Sequence, residues 1–367
     1  MTALTPSTVA RARLHSLLLL GEDRPTACGA IAAWFGAMQA QDVASGKWSL
    51  GVRLPGATEA DIDDAFERAE VVRTWPMRGT IHIVPAADIR WMLELTAGRA
   101  LDATLTRRKE LGLDLDDAAR ACAVLDDELR LRGRLTRSEC LQVLNEAGIA
   151  TDGQRGYHLL GYAAQTGVVC IGPNRGKEQT YALIDTWAPQ QVRLDGEAAL
   201  AELAFRFFRS HGPATIRDFA GWSGLTLTRA RAGVTANEGR LVPRRFRDDD
   251  AWLTADLAGM IEEGRTARWT AVVALPGFDE FVLGYKDRSV QVRDGDLDRI
   301  VPGGNGVFRA TVCLDGQVAA TWTRTIKRAE VLVELEPMRE ISERQRQRIG
   351  RAFEAYGRYL GLPLRLR

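Results

Sequence analysis

Two glutamines, Gln39 and Gln41, flank a single alanine and precede an aspartate, Asp42, in the stretch GAMQAQDVASGKWSLG. A glutamine amide is a poor general base and a poor nucleophile. It can, however, hold a water molecule and direct its carbonyl oxygen at a developing positive charge. The stretch is therefore either an ordinary polar end of a helix or a site that needs a positioned water more than a strong base. A polar helix end is the usual setting of such a pair.

The elements around the pair decide between these two interpretations. Residues 7–20 and 26–40 have apolar positions three and four apart, which predicts two helices. In a regular helix, residues two apart project about 200° away from each other. Gln39 and Gln41 can therefore share one site only if the helix ends or is distorted at the motif. The polar, glycine-containing run QDVASGK permits such an end.

The cysteines and histidines argue against several classes of protein. The five cysteines are scattered without a CxxC pair, which is typical of free thiols in a reducing compartment, so we expect a cytoplasmic protein. The four histidines have no metal-ligand spacing, and we expect neither a metal nor another cofactor. No apolar run approaches the roughly 18 residues of a membrane span, so no membrane partner is expected.

The charge of the chain is nearly balanced, at +1, but 44 of its 49 cationic side chains are arginine. The planar guanidinium suits phosphate groups and guanine edges, which favours a nucleic-acid partner. A GC-rich genome would give the same ratio of arginine to lysine. Charge alone therefore does not decide the function.

A signature of helix N-termini occurs three times in the first two thirds of the chain. A threonine is followed three residues later by an acid at Thr58 and Asp61, Thr136 and Glu139, and Thr215 and Asp218. β-prone runs around turn residues follow each, as in VVRTWPMRGTIHIV at 71–84, and predict hairpins. Helices followed by a hairpin are typical of a winged helix. The repetition predicts three tandem winged-helix units, at residues 1–100, 101–192 and 193–264.

The last part of the chain, residues 265–367, has a different periodicity. Runs such as VFRATVCLDGQVAATWTRTIKRAEVLVELEP predict antiparallel strands, in a small barrel or curled sheet, and SERQRQRIGRAFEAYGRYLG predicts a closing helix. A polar stretch at 286–306 is too long for a tight turn, and long loops are often functional. The predicted fold class is mainly α with β, with three winged-helix units, a C-terminal β-barrel and a terminal helix.

The chain resembles the bacterial winged-helix DNA glycosylases of the AlkZ-like type. The stretches that carry the resemblance are MQAQD, RTWPMRGTIHIV, GQRGYHLL, LPGFDEFVLGYKDRS, GGNGVF and DGQVAATW, in this order across nearly the whole chain. The resemblance implies three tandem winged helices, a C-terminal β-barrel and excision of alkylated purines from double-stranded DNA. Founding members of the family resist DNA-alkylating antibiotics, which implies a role in antibiotic self-resistance.

The family's catalytic motif is Gln–hydrophobic–Gln, or Gln–hydrophobic–Asp in a second branch. It falls here on Gln39, Ala40 and Gln41, whereas Asp42 lies one place too late to be the acid of the second branch. The resemblance thus implies that Gln39 and Gln41 are catalytic. A purine alkylated at N7 or N3 carries positive charge, so its glycosidic bond is already weakened. Two amides would need only to orient a water and face the oxocarbenium-like sugar.

Seven further residues are candidate contacts to DNA: Lys47, Trp48, Arg73, Arg78, His82, Lys286 and Arg288. The first two follow the motif and could hold a phosphate and pack beside the lesion. The next three lie on the predicted first wing, and the last two open the long polar loop. Each has a structural alternative: an extended lysine stem, a core tryptophan, a structural histidine, or an exposed charged turn.

The reaction predicted from these residues is monofunctional. Lys47 is the nearest lysine to the motif, and Schiff-base strand cleavage needs an activated amine close to the sugar. The main alternative is a non-enzymatic winged-helix DNA-binding protein such as a transcriptional regulator; a protein-interaction scaffold is the third. Regulators usually read two half-sites as dimers, and no dimerisation helix is evident, so we expect a monomer.

Overall fold

The computed structural model describes residues 3–20 and 24–367, which form two compact units. One unit consists of the described residues up to Ile62 together with Leu200–Arg367, and the other of Asp63–Ala199. Both contain helices and strands, so the fold is mixed α and β. Among the described residues, no helix combines the length and apolarity that crossing a bilayer would need.

The N-terminal segment is mostly helical. Its elements are α1 (Pro6–Ser16), α2 (Cys28–Phe35), β1 (Met38–Gln39), α3 (Val43–Gly51) and α4 (Glu59–Glu67). The helix predicted over 26–40 is therefore too long, because Gly36 turns the chain with a φ of +83° and ends α2. The helix predicted over 7–20 also ends early, at Ser16.

The second unit is built on an antiparallel sheet covered by helices. Its elements are β2 (Val71–Met77), β3 (Thr80–Pro85), α5 (Ile89–Thr96), α6 (Gly98–Ala103), α7 (Leu105–Glu110), α8 (Leu115–Arg132), β4 (Arg134–Thr136), α9 (Arg137–Glu146), α10 (Arg155–Gln165), β5 (Val169–Arg175), β6 (Glu178–Leu183) and α11 (Ile184–Trp187). Its strands lie in the order β3–β2–β5–β6–β4. Leu125, Leu144 and Leu160 of three helices pack with Ile171 of β5 in one apolar core.

The remaining elements belong to the first unit, except that α12 begins four residues before this unit resumes at Leu200. They are α12 (Gly196–His211), α13 (Ile216–Ser223), α14 (Leu227–Thr235), β7 (Leu241–Phe246), β8 (Asp249–Thr254), α15 (Ala255–Glu262), β9 (Val272–Leu275), α16 (Glu280–Leu283), α17 (Leu297–Ile300), β10 (Thr311–Leu314), β11 (Gln317–Ile326), β12 (Val331–Pro337), α18 (Glu343–Leu360) and β13 (Leu364–Leu366).

A curled sheet of five strands, in the order β13–β12–β11–β10–β9, forms the C-terminal part. Its pairs are antiparallel except β12 with β13, which are parallel. The predicted closing helix is confirmed as α18, and it packs on the sheet through Phe353 and Tyr356, whose rings lie 5.2 and 5.3 Å from that of Trp322. In the stretch TAVVALPGFDEFVLGY, also β-prone in sequence, the strand ends at Leu275 and the second half contains α16.

The three predicted helix caps are confirmed. In each pair the acid accepts the threonine N–H and the threonine hydroxyl accepts the acid's N–H: Thr58 with Asp61, Thr136 with Glu139, and Thr215 with Asp218. Along the chain, the order helix–strand–helix–helix–strand–strand recurs from α2 to β3, from α8 to β6 and from α12 to β8. In the last of these, a single bridge from Ala214 to Trp252 stands for the first strand.

Candidate active site

The glutamine motif lies between two helices and not within one. Gln39 is the last residue of β1 and is 8% exposed, whereas Gln41 is exposed. Asp42 is extended and caps α3, its Oδ1 accepting the N–H of Ser45 at 2.8 Å. Because the segment from Gly36 to Asp42 is not helical, the 200° separation of a helix does not apply to the two amides.

Gln39 is fixed through its main chain by a buried carboxylate. Its N–H donates to Oε1 of Glu280 at 3.0 Å. The other oxygen, Oε2, accepts from Nε1 of Trp222 at 3.0 Å and lies 3.2 Å from Nε2 of His211. Glu280 is 1% exposed, so its side chain is held by buried partners. The motif strand is thus anchored to an acidic side chain in the protein interior.

The neighbouring acid, Asp279, anchors the helix that follows the motif. Arg53 donates to both of its oxygens, at 2.7 and 3.0 Å, and the Ser49 hydroxyl of α3 donates to it at 3.0 Å. Arg53 also donates to the carbonyl oxygens of Leu17 and Ser49, both at 2.9 Å. The guanidinium is completely buried, so this ion pair holds two desolvated charges that each depend on the other.

The loop that carries both acids has an unusual backbone. Phe278, the residue before Asp279, adopts a φ of +61°, a region that bulky side chains rarely enter. After α16, a Cβ on Gly284 would lie 2.4 Å from Cδ2 of His211, so only glycine fits there without displacement. Strained backbone of this kind persists where the surroundings hold it, and it is common at active sites.

Aromatic rings enclose His211. Its imidazole stacks on Phe207 with centroids 4.5 Å apart, and its Nδ1 lies 2.8 Å from the Ser210 hydroxyl. The hydroxyl of Tyr285 donates to the His211 carbonyl at 2.9 Å, and burial raises the pKa of this phenol, so it stays a neutral donor. The ring therefore has one orientation, in which Nε2 faces Glu280.

Comparisons with known proteins identify the family of the chain. Residues 32–359 match the family described as DNA glycosylase AlkZ-like. The chain belongs to the AlkZ-like DNA glycosylase family. It is 24% identical over 330 residues to the interstrand DNA cross-link repair glycosylase of Streptomyces sahachiroi, covering 84% of this chain and 85% of that protein. The solved structure of Streptomyces sahachiroi DNA glycosylase AlkZ matches 100% of both chains with a TM-score of 0.79 at 20% identity, a likeness of fold.

The family assignment makes the protein an enzyme, a DNA glycosylase, and its substrate DNA. Glycosylases of this class hydrolyse the bond between base and sugar and act in DNA repair. The transcriptional regulator and the scaffold, which the sequence left open, are therefore set aside.

Lys47 and Trp48 of the glycosylase differ in accessibility. Lys47 is half-buried on α3, with its Nζ 3.6 Å from Oε1 of Glu59. Trp48 is 3% exposed, its indole N–H donates to the Ala274 carbonyl at 2.7 Å, and its ring lies 4.7 Å from that of Tyr359. The placement of Trp48 favours the core alternative over a contact to DNA.

The two cations after α16 also have different surroundings. The N–H of Lys286 donates to Oδ1 of Asp218 at 2.7 Å, and its side chain is exposed. Arg288 is half-buried, its Nε donates to the Val282 carbonyl at 2.9 Å, and burial lowers its pKa. Lys286 therefore offers an accessible charge, whereas Arg288 mainly holds the loop. The remainder of the 286–306 stretch is not simply an exposed loop, since Val290, Gln291 and Ile300 are buried and α17 lies within it.

The candidates on the predicted first wing belong to the second unit. Arg73 is 3% exposed on β2, donates to Asn174 at 2.9 Å, and burial lowers its pKa to about 10. His82 is completely buried on β3, with Nδ1 2.9 Å from the Thr80 carbonyl and Nε2 3.3 Å from Nη2 of Arg78. Arg78 is exposed in the turn. Only Arg78 of the three presents its charge on the surface of this unit.

Sequence reasoning missed the buried residues that hold the motif: Asp279, Glu280, Arg53, His211 and Trp222. A signal was present in LPGFDEFVLGYKDRS, where two adjacent acids stand between phenylalanines. Acids in an apolar run are expected to be buried, and buried acids need partners. The identity of those partners has no signature in local spacing.

Proposed function

We propose that this protein is a monofunctional DNA glycosylase that excises purines alkylated at N7 or N3, with Gln39 and Gln41 positioning the attacking water. The observation that supports the proposal most directly is the non-helical path of the motif. Gln39 ends a strand and Gln41 lies in the bend before α3, so both amides can address one water. A continuous helix would have separated them.

The chemistry explains why two amides suffice. An alkylated, cationic purine is a good leaving group, and its departure leaves positive charge on the sugar. Carbonyl oxygens held in place stabilise that charge, and an oriented water attacks without a strong base. An uncharged purine gains little from such a site, which gives selectivity for the cationic lesion.

Strand cleavage through a Schiff base does not fit the surroundings of the motif. Lys47 lies on α3, six residues beyond Gln41, and is ion-paired with Glu59. A nucleophilic lysine is activated by an apolar pocket or by a neighbouring cation, and a carboxylate neighbour provides neither. We therefore infer that the product is an intact strand with an abasic site.

The wider architecture is proposed to be three tandem winged-helix units, at 1–100, 101–192 and 193–264, with a C-terminal barrel at 265–367. The recurring order of helices and strands supports the first three, and the curled sheet supports the last. Lys286 and Arg78 are the proposed phosphate contacts, because both are exposed cations. We also propose that the protein acts as a monomer.

Crosslinked and bulky purines are included in the proposed substrates. The Streptomyces sahachiroi relative is named for repair of interstrand cross-links, and a crosslink through N7 leaves the same cationic purine. A link to resistance against an alkylating antibiotic would follow from that activity.

Base release from defined duplexes tests the proposal. We expect release of N7-methylguanine and N3-methyladenine, and unhooking of an N7-linked crosslink, with no release of hypoxanthine, an uncharged purine. Strands should stay intact until alkali is added, and borohydride should trap no covalent complex. Release of hypoxanthine at a similar rate, or a trapped complex, would show that the proposed mechanism is wrong.

A further inference from the structure

The strand that carries Gln39 is short and buried. β1 contains only Met38 and Gln39, and Ala37 and Ala40 on either side are buried. A main-chain N–H in such surroundings needs an acceptor, because an unpaired buried donor is destabilising. Oε1 of Glu280 is the acceptor observed for Gln39, at 3.0 Å.

Two side chains from separate helices orient this carboxyl group. Trp222 on α13 donates to Oε2, and Nε2 of His211, the last residue of α12, lies 3.2 Å from the same oxygen. With Oε2 occupied in this way, Oε1 is directed at Gln39. Gly284 permits the close approach of His211, since any side chain there would displace the ring.

From this geometry we propose that Glu280 is a positioning residue for excision: it acts through the main chain of Gln39, with His211 and Trp222 setting its direction. The inference rests on the proposed catalytic function of Gln39. Its physical basis is the narrow tolerance of a positioned water, because a displacement of about 1 Å can lower a rate about a hundredfold.

Glu280→Gln is the most informative change because it keeps the volume of the side chain. The amide has one acceptor oxygen and a donor NH2 group, so it cannot accept from both Gln39 and Trp222. We expect the single-turnover excision rate constant to fall by about tenfold to a hundredfold. Affinity for undamaged duplex should stay within about twofold, because the variant changes no charge at the surface.

Asp315→Asn is the matched control. Asp315 is another paired carboxylate of the same unit, which accepts from Arg348 at 2.7 and 2.9 Å. Its φ of +54° suits asparagine, so the variant should fold. We expect its excision rate to equal that of the wild type.

A double variant separates positioning from general loss of structure. If Glu280 acts through Gln39, adding Glu280→Gln to Gln39→Ala should lower the rate by less than about threefold further. A multiplicative loss would overturn the inference, as would a folded Glu280→Gln variant with wild-type excision. If Gln39→Ala is inactive and Glu280→Gln is active, the positioning role of Glu280 is wrong but the proposed function stands. Wild-type activity of Gln39→Ala rejects the proposed function, and positioning with it.

Trp222→Phe gives the same test if Glu280→Gln does not fold. This change removes one donor to Oε2 and leaves the Glu280–Gln39 bond intact. We expect a fall of about threefold to tenfold in the rate constant, by the loss of one oriented hydrogen bond, and no further fall in the Gln39→Ala background. An unchanged rate in the folded Trp222→Phe variant would contradict the role of Oε2 in setting the direction of the carboxylate.

Discussion

The main-chain N–H of Gln39 and the carboxylate of Glu280 are joined by a 3.0 Å hydrogen bond although 241 positions separate them in the chain. The preceding residue, Asp279, binds Arg53 just after α3 and Ser49 within it. Two adjacent acids thus hold the strand that begins the motif and the helix that follows the motif. The position of the motif and the stability of the first unit are therefore linked through one short segment at the start of α16.

The ion pair beneath α3 should be essential for stability. Asp279→Asn leaves the buried guanidinium of Arg53 without a counter-charge, so we expect the free energy of unfolding to fall by about 3–5 kcal/mol. Urea denaturation measures this loss. Glu263→Gln is the control, since its partner Arg265 is 3.9 Å away and both side chains are more than half exposed. Its effect should be below about 0.5 kcal/mol, and equal effects of the two variants would contradict the prediction.

Close packing at Gly284 predicts a second difference in stability. Gly284→Ala places a Cβ 2.4 Å from the His211 ring and should cost about 1–3 kcal/mol, with a slower excision rate. Gly350→Ala on α18 meets nothing within 4 Å and should stabilise by about 0.5–1 kcal/mol. Thermal unfolding of both variants checks the pair. A Gly284→Ala variant as stable as the wild type would show that the ring can move aside.

Lys286 should contact a phosphate. We expect Lys286→Ala to weaken duplex binding and to lower the slope of log affinity against log salt by about one. Lys327→Ala removes a lysine that is about half exposed and lies 3.5 Å from Glu330, and we expect it to leave the slope unchanged. Fluorescence anisotropy over a series of salt concentrations gives both slopes. Equal slopes for the two variants would remove Lys286 from the interface.

His15 should make stability depend on pH. Burial, and then the charge of Arg265, hold its pKa below the ordinary 6.5, and its ring stacks on Trp269 at 4.8 Å. In the unfolded chain the ring binds a proton near pH 6.5, whereas in the folded protein it does not. The stability is therefore complete above pH 6.5 and falls as the pH drops below it. Urea midpoints across this range should fall less steeply for His15→Gln, and parallel curves would contradict the assignment.

The parts of the fold that depend on local sequence could be predicted. The pairs Thr136–Glu139 and Thr215–Asp218 form their caps because all the partners lie within one turn. The hairpin at 71–84 forms because Arg78 and Gly79 both adopt positive φ, as a two-residue turn requires.

Gln39 shows why local periodicity was not sufficient to predict the backbone structure of the motif. The apolar residues Ala37, Met38 and Ala40 continue a helical pattern, but their burial comes from tertiary packing around an extended chain. Trp48 is a similar case, because its spacing from the motif does not show that its indole N–H binds the Ala274 carbonyl. Glu280, which binds Gln39, begins α16, and its own partners His211 and Trp222 lie in α12 and α13. No spacing in the sequence connects these residues.

Single-turnover excision of N7-methylguanine by Gln39→Ala and Gln41→Ala tests the central claim most directly. If the two amides orient the water, each variant should lose about a hundredfold or more in rate, the scale for removing one preorganised group at a reacting centre, while keeping its affinity for the duplex. If both folded variants release the base within about threefold of the wild-type rate, the catalytic assignment of the motif is wrong.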